Sequence, residues 1–213
     1  MPIASIPEAI EAYKQGEVVI IVDDEDRENE GDLTIAADFV TAEKVNFFAK
    51  NGRGLICCAM AASILDKFDL PLMVPDENNR SGFGTRFTLS VEAADGVTTG
   101  ISAHDRAHTI RTLIDQKATR TDIVTPGHTF PLRAKEGGVL ERDGQTEASV
   151  DLAILAGLTP ASMICEVMND DGTMARLPDL EVFSEKHGLK IISVKAIIDY
   201  RRAAESQPLK AAG

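Results

Sequence analysis

The chain has no tryptophan, two tyrosines and only 5% aromatic residues, so its core has to be built from aliphatic side chains rather than stacked rings. Cysteine is scarce too: Cys57 and Cys58 are adjacent, and Cys165 is the third. Three cysteines build neither a disulfide framework nor a four-cysteine zinc site, and they fit a reducing cytoplasm. No apolar run approaches the roughly 20 residues that cross a bilayer, and the N-terminus lacks a basic stretch followed by an apolar one. The expectation is a soluble, unexported chain that makes no use of a membrane. Basic charge is also short. The 22 Lys and Arg residues stand against 34 Asp and Glu, a net charge of −12, which argues against holding nucleic acid on a broad basic surface.

The chain does have 213 residues that are 44% hydrophobic, enough for one substantial core, and no linker or internal repeat interrupts it. A single domain over residues 1–213 is expected, with a mobile tail at residues 203–213. Ile6, Ala9, Ile10 and Tyr13 repeat at helical spacing, and Val18-Val19-Ile20-Ile21-Val22 reads as a buried strand. Further strands are expected over 33–37, 55–60, 87–91, 163–168 and 189–194, and helices over 42–50 and 179–187. Ser102 and Asp105 form a helix-start pattern that leads into Ile110, Leu113 and Ile114, and Thr146 is placed to cap a helix ending before Gly157. Residues 70–85, with two prolines and two glycines, read as a long loop. This alternation predicts an α+β (mixed α/β) fold.

The charge is unevenly spread. Asp23-Asp24-Glu25-Asp26-Arg27-Glu28-Asn29-Glu30-Gly31-Asp32 holds seven acids and one arginine, a net −6 and so half of the total, directly after a buried strand. A solvated acidic turn is the commoner origin of such a run. Here the crowded carboxylates suit a hard divalent cation such as Mg²⁺ or Mn²⁺, the lone Arg27 suits a phosphate or hydroxyl, and Gly31 permits close backbone approach. The spacing is not that of a calcium-binding EF-hand, because Ala37 stands where that loop needs its terminal glutamate.

This acidic loop, together with Gly96-Val97-Thr98-Thr99-Gly100-Ile101-Ser102, Pro126-Gly127-His128-Thr129-Phe130-Pro131-Leu132-Arg133, Gly137-Gly138-Val139-Leu140 and Asn169-Asp170-Asp171-Gly172-Thr173-Met174-Ala175, resembles the 3,4-dihydroxy-2-butanone 4-phosphate synthase family over nearly the whole chain. The resemblance implies an Mg²⁺-dependent lyase, Mn²⁺ being an alternative metal. It would convert ribulose 5-phosphate to L-3,4-dihydroxybutan-2-one 4-phosphate and formate in riboflavin biosynthesis. It also implies a homodimer with active sites near the subunit interface. Many members carry a second, zinc-binding GTP cyclohydrolase II domain, for which this sequence has neither the length nor the cysteines, so the stand-alone form is expected.

Carried over by position, the resemblance assigns Glu28 to metal and substrate, Arg27, Asp32 and Thr98 to substrate, and Glu30, His128, Glu166 and Cys57 to the catalytic group. Arg142, Gly144, Gln145 and Thr146 occupy its substrate-binding stretch, and Gln145 with Glu28 occupies its metal-ligand positions. On the residues alone, Glu166 interrupts an apolar strand, where burial or a neighbouring carboxylate favours proton transfer, and Cys57 is a small packing residue. An edge-strand carboxylate facing solvent is the ordinary alternative for Glu166. One position departs from the pattern. Gln145 stands where the family has a metal-ligand histidine, and glutamine offers an amide oxygen but no imidazole. A sugar-phosphate-binding protein with impaired turnover is therefore the second functional expectation.

Overall fold

The computed structural model describes residues 3–205. The chain opens with α1 (Ile6–Lys14), started by a capping box in which the Ser5 backbone N–H donates to Glu8 Oε2 at 2.8 Å. It continues through β1 (Val19–Val22), β2 (Gly31–Ala36), α2 (Ala42–Phe47), β3 (Cys57–Met60), α3 (Ala62–Asp66) and β4 (Val91–Ala93). The second half contains α4 (Ala103–Ile114), β5 (Ile123–Arg133), α5 (Gln145–Leu155), β6 (Ala161–Glu166), α6 (Leu177–His187), β7 (Lys190–Ser193) and α7 (Val194–Glu205).

The seven strands among the described residues join one mixed sheet in the order β4-β5-β3-β6-β2-β1-β7. Only β1 with β7 and β3 with β5 run parallel. The apolar runs of β1, β3 and β6 are buried along their whole length because the sheet is covered on both faces. On one face Ile20, Leu33, Ile35, Met60 and Met163 pack with Phe48, Ile110 and Leu113 beneath α2 and α4. On the other, Val19, Ile21 and Ile192 pack against α1, α5 and α7 through Tyr13, Leu152 and Ile197. A smaller cluster of Cys57, Leu132, Val150 and Ile164 continues this second face toward β5. Two sheet faces, each burying aliphatic side chains, account for a core without tryptophan.

The expected α+β architecture is present, with several local differences. The strand expected over 87–91 is displaced: Phe87 and Thr88 make isolated bridges, and β4 begins at Val91. Thr146 does not cap α5. Gly144 is the N-cap, and Thr146 lies in the first turn. β6 is an interior strand between β3 and β2, so Glu166 is not on a sheet edge. Residues 203–205 of the expected mobile tail belong to α7, and residues 206–213 lie outside the described residues. No helix among the described residues is long and apolar enough to cross a membrane.

Candidate active site

The acidic loop between β1 and β2 is organised by one of its own acids. Asp23, whose side chain is fully buried, accepts from the backbone N–H groups of Glu28 (3.0 Å) and Glu30 (2.8 Å) and from Arg27 Nη1 (2.8 Å). Asn29 takes a left-handed conformation at φ 54°, which asparagine tolerates, and Arg176 donates to the carbonyls of Glu28 and Asn29. The loop is therefore folded around buried hydrogen bonds rather than left as a solvated turn. Neither Asp23 nor Arg176 stands out in the sequence as an organiser, since the first is one acid among seven and the second is remote in the chain.

The loop delivers its last acid onto the sheet. Alternation in β2 sends Leu33 and Ile35 to the α2–α4 face, and so Asp32 to the face covered by α5. Directly opposite Asp32 in the antiparallel pair is Glu166, at the end of β6. Glu166 Oε2 accepts from the Leu55 backbone N–H at 2.8 Å, and a side chain on Gly54 would strike that carboxylate. Cys57 opens β3 opposite Ile164. Across from these strand ends stand Gln145 and Thr146, in the first turn of α5, where backbone N–H groups have no partner within the helix.

Together these elements enclose a cavity of about 160 Å³. Of the residues singled out from the sequence, Glu28, Asp32, Cys57, Arg142, Gln145, Thr146 and Glu166 line it. Thr85, Phe87, Leu132 and Ile164 complete the wall and carry no sequence signal beyond their place in the loop and strands. Arg142 is fixed by Glu147 Oε2 at 2.5 Å, Thr85 Oγ1 at 3.0 Å and the Phe83 carbonyl at 3.0 Å. Gly144 fits between two cations: a Cβ there would meet Arg142 Nη1, and Arg27 Nη2 at 2.9 Å. Arg27 also lies 5.0 Å from the Phe83 ring centroid, so the loop at 70–85 reaches over this wall.

The carboxyl groups perturb one another. Burial pushes the Asp32 carboxyl well above the usual carboxylate range, and the charges of Glu166, Glu28, Glu30 and Asp23 push it further. Glu28 is raised by burial against the opposing pull of Arg27, and Glu30 is raised by burial and then by Glu28 and Glu166. Burial also drives the Cys57 thiol well up, with Glu166 and Asp32 adding to the effect, which keeps it a thiol.

Two expected site residues are elsewhere. Thr98 donates to Asp105 Oδ2 at 2.8 Å in the turn before α4. His128, on β5, pairs through Nδ1 with Glu92 of β4. Gly100 abuts the same Glu92 carboxylate, so the Thr98 turn and His128 form a second group that does not line the cavity.

A divalent cation suits part of this donor set. Glu28 and its neighbours are hard oxygen donors whose mutual repulsion a cation relieves. Among the described residues, no three His, Cys, Asp or Glu side chains form a ready metal cage. The amide oxygen of Gln145 is already engaged: it accepts from Arg27 Nη1 at 2.8 Å, and the same nitrogen stands 3.2 Å from Glu28 Oε1.

The model of the 3,4-dihydroxy-2-butanone 4-phosphate synthase family matches residues 7–200. A 3,4-dihydroxy-2-butanone 4-phosphate synthase of Neisseria meningitidis serogroup B is 55% identical over 204 residues, covering 96% of this chain and 56% of the relative. One from Agrobacterium fabrum is 53% identical over 200 residues, covering 94% and 93%. The chain thus spans about half the length of several curated relatives and nearly the full length of another. A crystal structure of a 3,4-dihydroxy-2-butanone 4-phosphate synthase in complex with two magnesium ions superimposes with a TM-score of 0.90 at 39% identity, covering 96% of this chain and all of that one. A two-domain synthase from A. baumannii gives 0.89 at 50% identity, covering 93% and 58%. With the family matched along the chain and the fold shared with its solved members, this chain belongs to the 3,4-dihydroxy-2-butanone 4-phosphate synthase family.

Proposed function

We propose that this chain converts D-ribulose 5-phosphate to L-3,4-dihydroxybutan-2-one 4-phosphate and formate, in riboflavin biosynthesis. The observation that carries this reading is the facing pair Asp32 and Glu166 inside a cavity that also holds Arg142 and the first turn of α5. The reaction needs an enolisation, a skeletal rearrangement and a fragmentation, and hence groups that take and return protons beside groups that hold an anion. Asp32, whose burial and neighbouring carboxyl groups let it hold its proton to higher pH than an ordinary carboxyl, is suited to proton transfer, and Glu166 stands opposite to exchange a proton with the substrate. Arg142, pinned by Glu147 and Thr85, and the N–H groups at the start of α5 provide positive potential for the phosphate.

Glu28 would hold the divalent cation, Mg²⁺ or in its place Mn²⁺. Bound there, the cation would supply a Lewis acid for the substrate's oxygens. Arg27 keeps Glu28 and Gln145 in place, Gly144 leaves room for the two guanidinium groups, and Thr146 borders the substrate space. Cys57 packs beneath the acids with its thiol protonated. Glu30 tunes the acid cluster from outside the lining. A homodimer that brings Thr98 and His128 of one subunit toward the cavity of the other reconciles their family-implied roles with their position. A cytoplasmic location fits three free cysteines.

The test is to incubate the purified chain with ribulose 5-phosphate and Mg²⁺ and to follow formate. Formate release that is lost in chelator and in Glu28→Gln supports the reading. Saturable sugar-phosphate binding without formate rejects it.

A further inference from the structure

Gln145 is 5% exposed, and its two amide atoms have different surroundings. A guanidinium has donors and no acceptor, so the amide atom lying 2.8 Å from Arg27 Nη1 has to be the oxygen. Arg27 is itself fixed, by Asp23 at 2.8 Å and by the Phe83 ring, so it does not readily release that oxygen. The opposite end of the amide, Nε2, is buried without a hydrogen-bond partner. Buried donors are nearly always satisfied, so an orphan donor on a residue that lines a functional cavity marks a place where a ligand oxygen can complete the set. Gln145 lines that cavity beside Asp32, Glu166 and Thr146.

We propose that Gln145 is a substrate-positioning residue whose Nε2 donates a hydrogen bond to an oxygen of the bound sugar phosphate, while Arg27 holds its Oε1 away from any metal. The inference rests on the functional reading given above and deepens it. It makes Glu28, and not Gln145, the residue on which the substrate-free cation depends. It also accounts for an amide at a position where the family pattern has histidine. With its oxygen locked by Arg27, the amide has only its N–H left to offer, whereas an imidazole offers a metal-binding nitrogen.

Two binding measurements separate the roles without relying on turnover. The first is Mn²⁺ affinity of the substrate-free protein by electron paramagnetic resonance. The second is ribulose 5-phosphate affinity in excess chelator by calorimetry. Gln145→Met keeps length and removes both amide atoms. The expected result is Mn²⁺ affinity within about twofold of the parent and sugar-phosphate affinity weakened roughly tenfold, the scale of one lost hydrogen bond. Weakened Mn²⁺ affinity, or unchanged sugar-phosphate affinity, overturns the proposal. Should Gln145→Met fail to fold, Gln145→Glu keeps an oxygen on Arg27 and still removes the donor. It too is expected to bind sugar phosphate more weakly in chelator, and unchanged affinity there is likewise fatal. If the parent chain releases formate yet Gln145→Met binds sugar phosphate normally, the positioning role fails while the enzymatic reading stands. If the parent neither binds sugar phosphate nor releases formate, both fall.

Discussion

Asp32 and Glu166 stand directly opposite each other on adjacent antiparallel strands, two carboxyl groups at a position where neighbours on a sheet face are in contact. Such a pair is destabilising at neutral pH, and the strain appears at the more buried member, Asp32, whose carboxyl is pushed well up. A carboxyl raised in the folded state binds its proton more tightly there than in the unfolded chain. Its favourable contribution is full below the unfolded value of about 3.9 and is lost as pH rises through the higher folded value. Asp32→Asn is therefore expected to stabilise the fold at pH 7 by roughly 1–2 kcal/mol, the gain shrinking toward pH 4, while abolishing most formate release. Urea unfolding at both pH values checks this, and a variant less stable than its parent at pH 7 contradicts the account.

Much of this site is legible in the sequence because its parts are local. The apolar run before Asp23 sets where the acidic loop starts, and the period-2 rule then decides which face Asp32 occupies. Ser102 does cap α4, its side chain accepting from the Asp105 backbone N–H. What escaped depends on contacts remote in the chain. β5 runs the full length of Ile123–Arg133 although Pro126, Gly127 and Pro131 argue against a strand, because it sits between β4 and β3 and its register shifts at Val91/Glu92. The sequence pattern assigns no element to residues 195–202, yet α7 runs through them with Ile197 buried against Tyr13 and Leu152. The locking of Gln145 by Arg27, 118 residues away, has no counterpart in local pattern.

Gly144 tests whether the two arginines matter through their exact placement. Its backbone, at φ −102° and ψ 160°, accepts any residue, so Gly144→Ala introduces no backbone strain. The new methyl meets the guanidinium groups of Arg142 and Arg27 instead. The expected outcome is a KM for ribulose 5-phosphate raised about tenfold, with a stability loss of about 1 kcal/mol or less from the poorer N-cap. Unchanged KM would show that neither guanidinium needs its present position.

The three cysteines offer a check on burial in the folded chain. Cys57, Cys58 and Cys165 are all buried; Cys58 is pushed up to about 12 by desolvation, and the other two are raised by burial and the nearby acids. Thiolate is the reactive form, so at pH 8 the native protein is expected to resist a disulfide exchange reagent for minutes and to expose all three thiols in denaturant. Prompt modification of one thiol in the folded chain, mapped to Cys57, would restore a reactive role for it.

The position of His128 makes the subunit arrangement testable. Its imidazole pairs with Glu92 and does not line the cavity, and Leu89, Ile101 and Val124 near it are exposed apolar residues at 39%, 52% and 45%. Apolar side chains beside a histidine to which the family resemblance assigns a role, on the β4–β5 side of the sheet, are suited to a self-complementary contact with a second copy. Light scattering at micromolar concentration should give the mass of a dimer. A sharper test uses two impaired variants, His128→Asn and Glu166→Gln. If each cavity draws His128 from the other chain, a refolded equal mixture contains heterodimers in which one site has both groups intact and the other has neither. With random pairing, half the dimers are mixed, and activity should return to about a quarter of the parent level. If His128 serves the cavity of its own chain, every site in the mixture carries one defect and mixing recovers nothing.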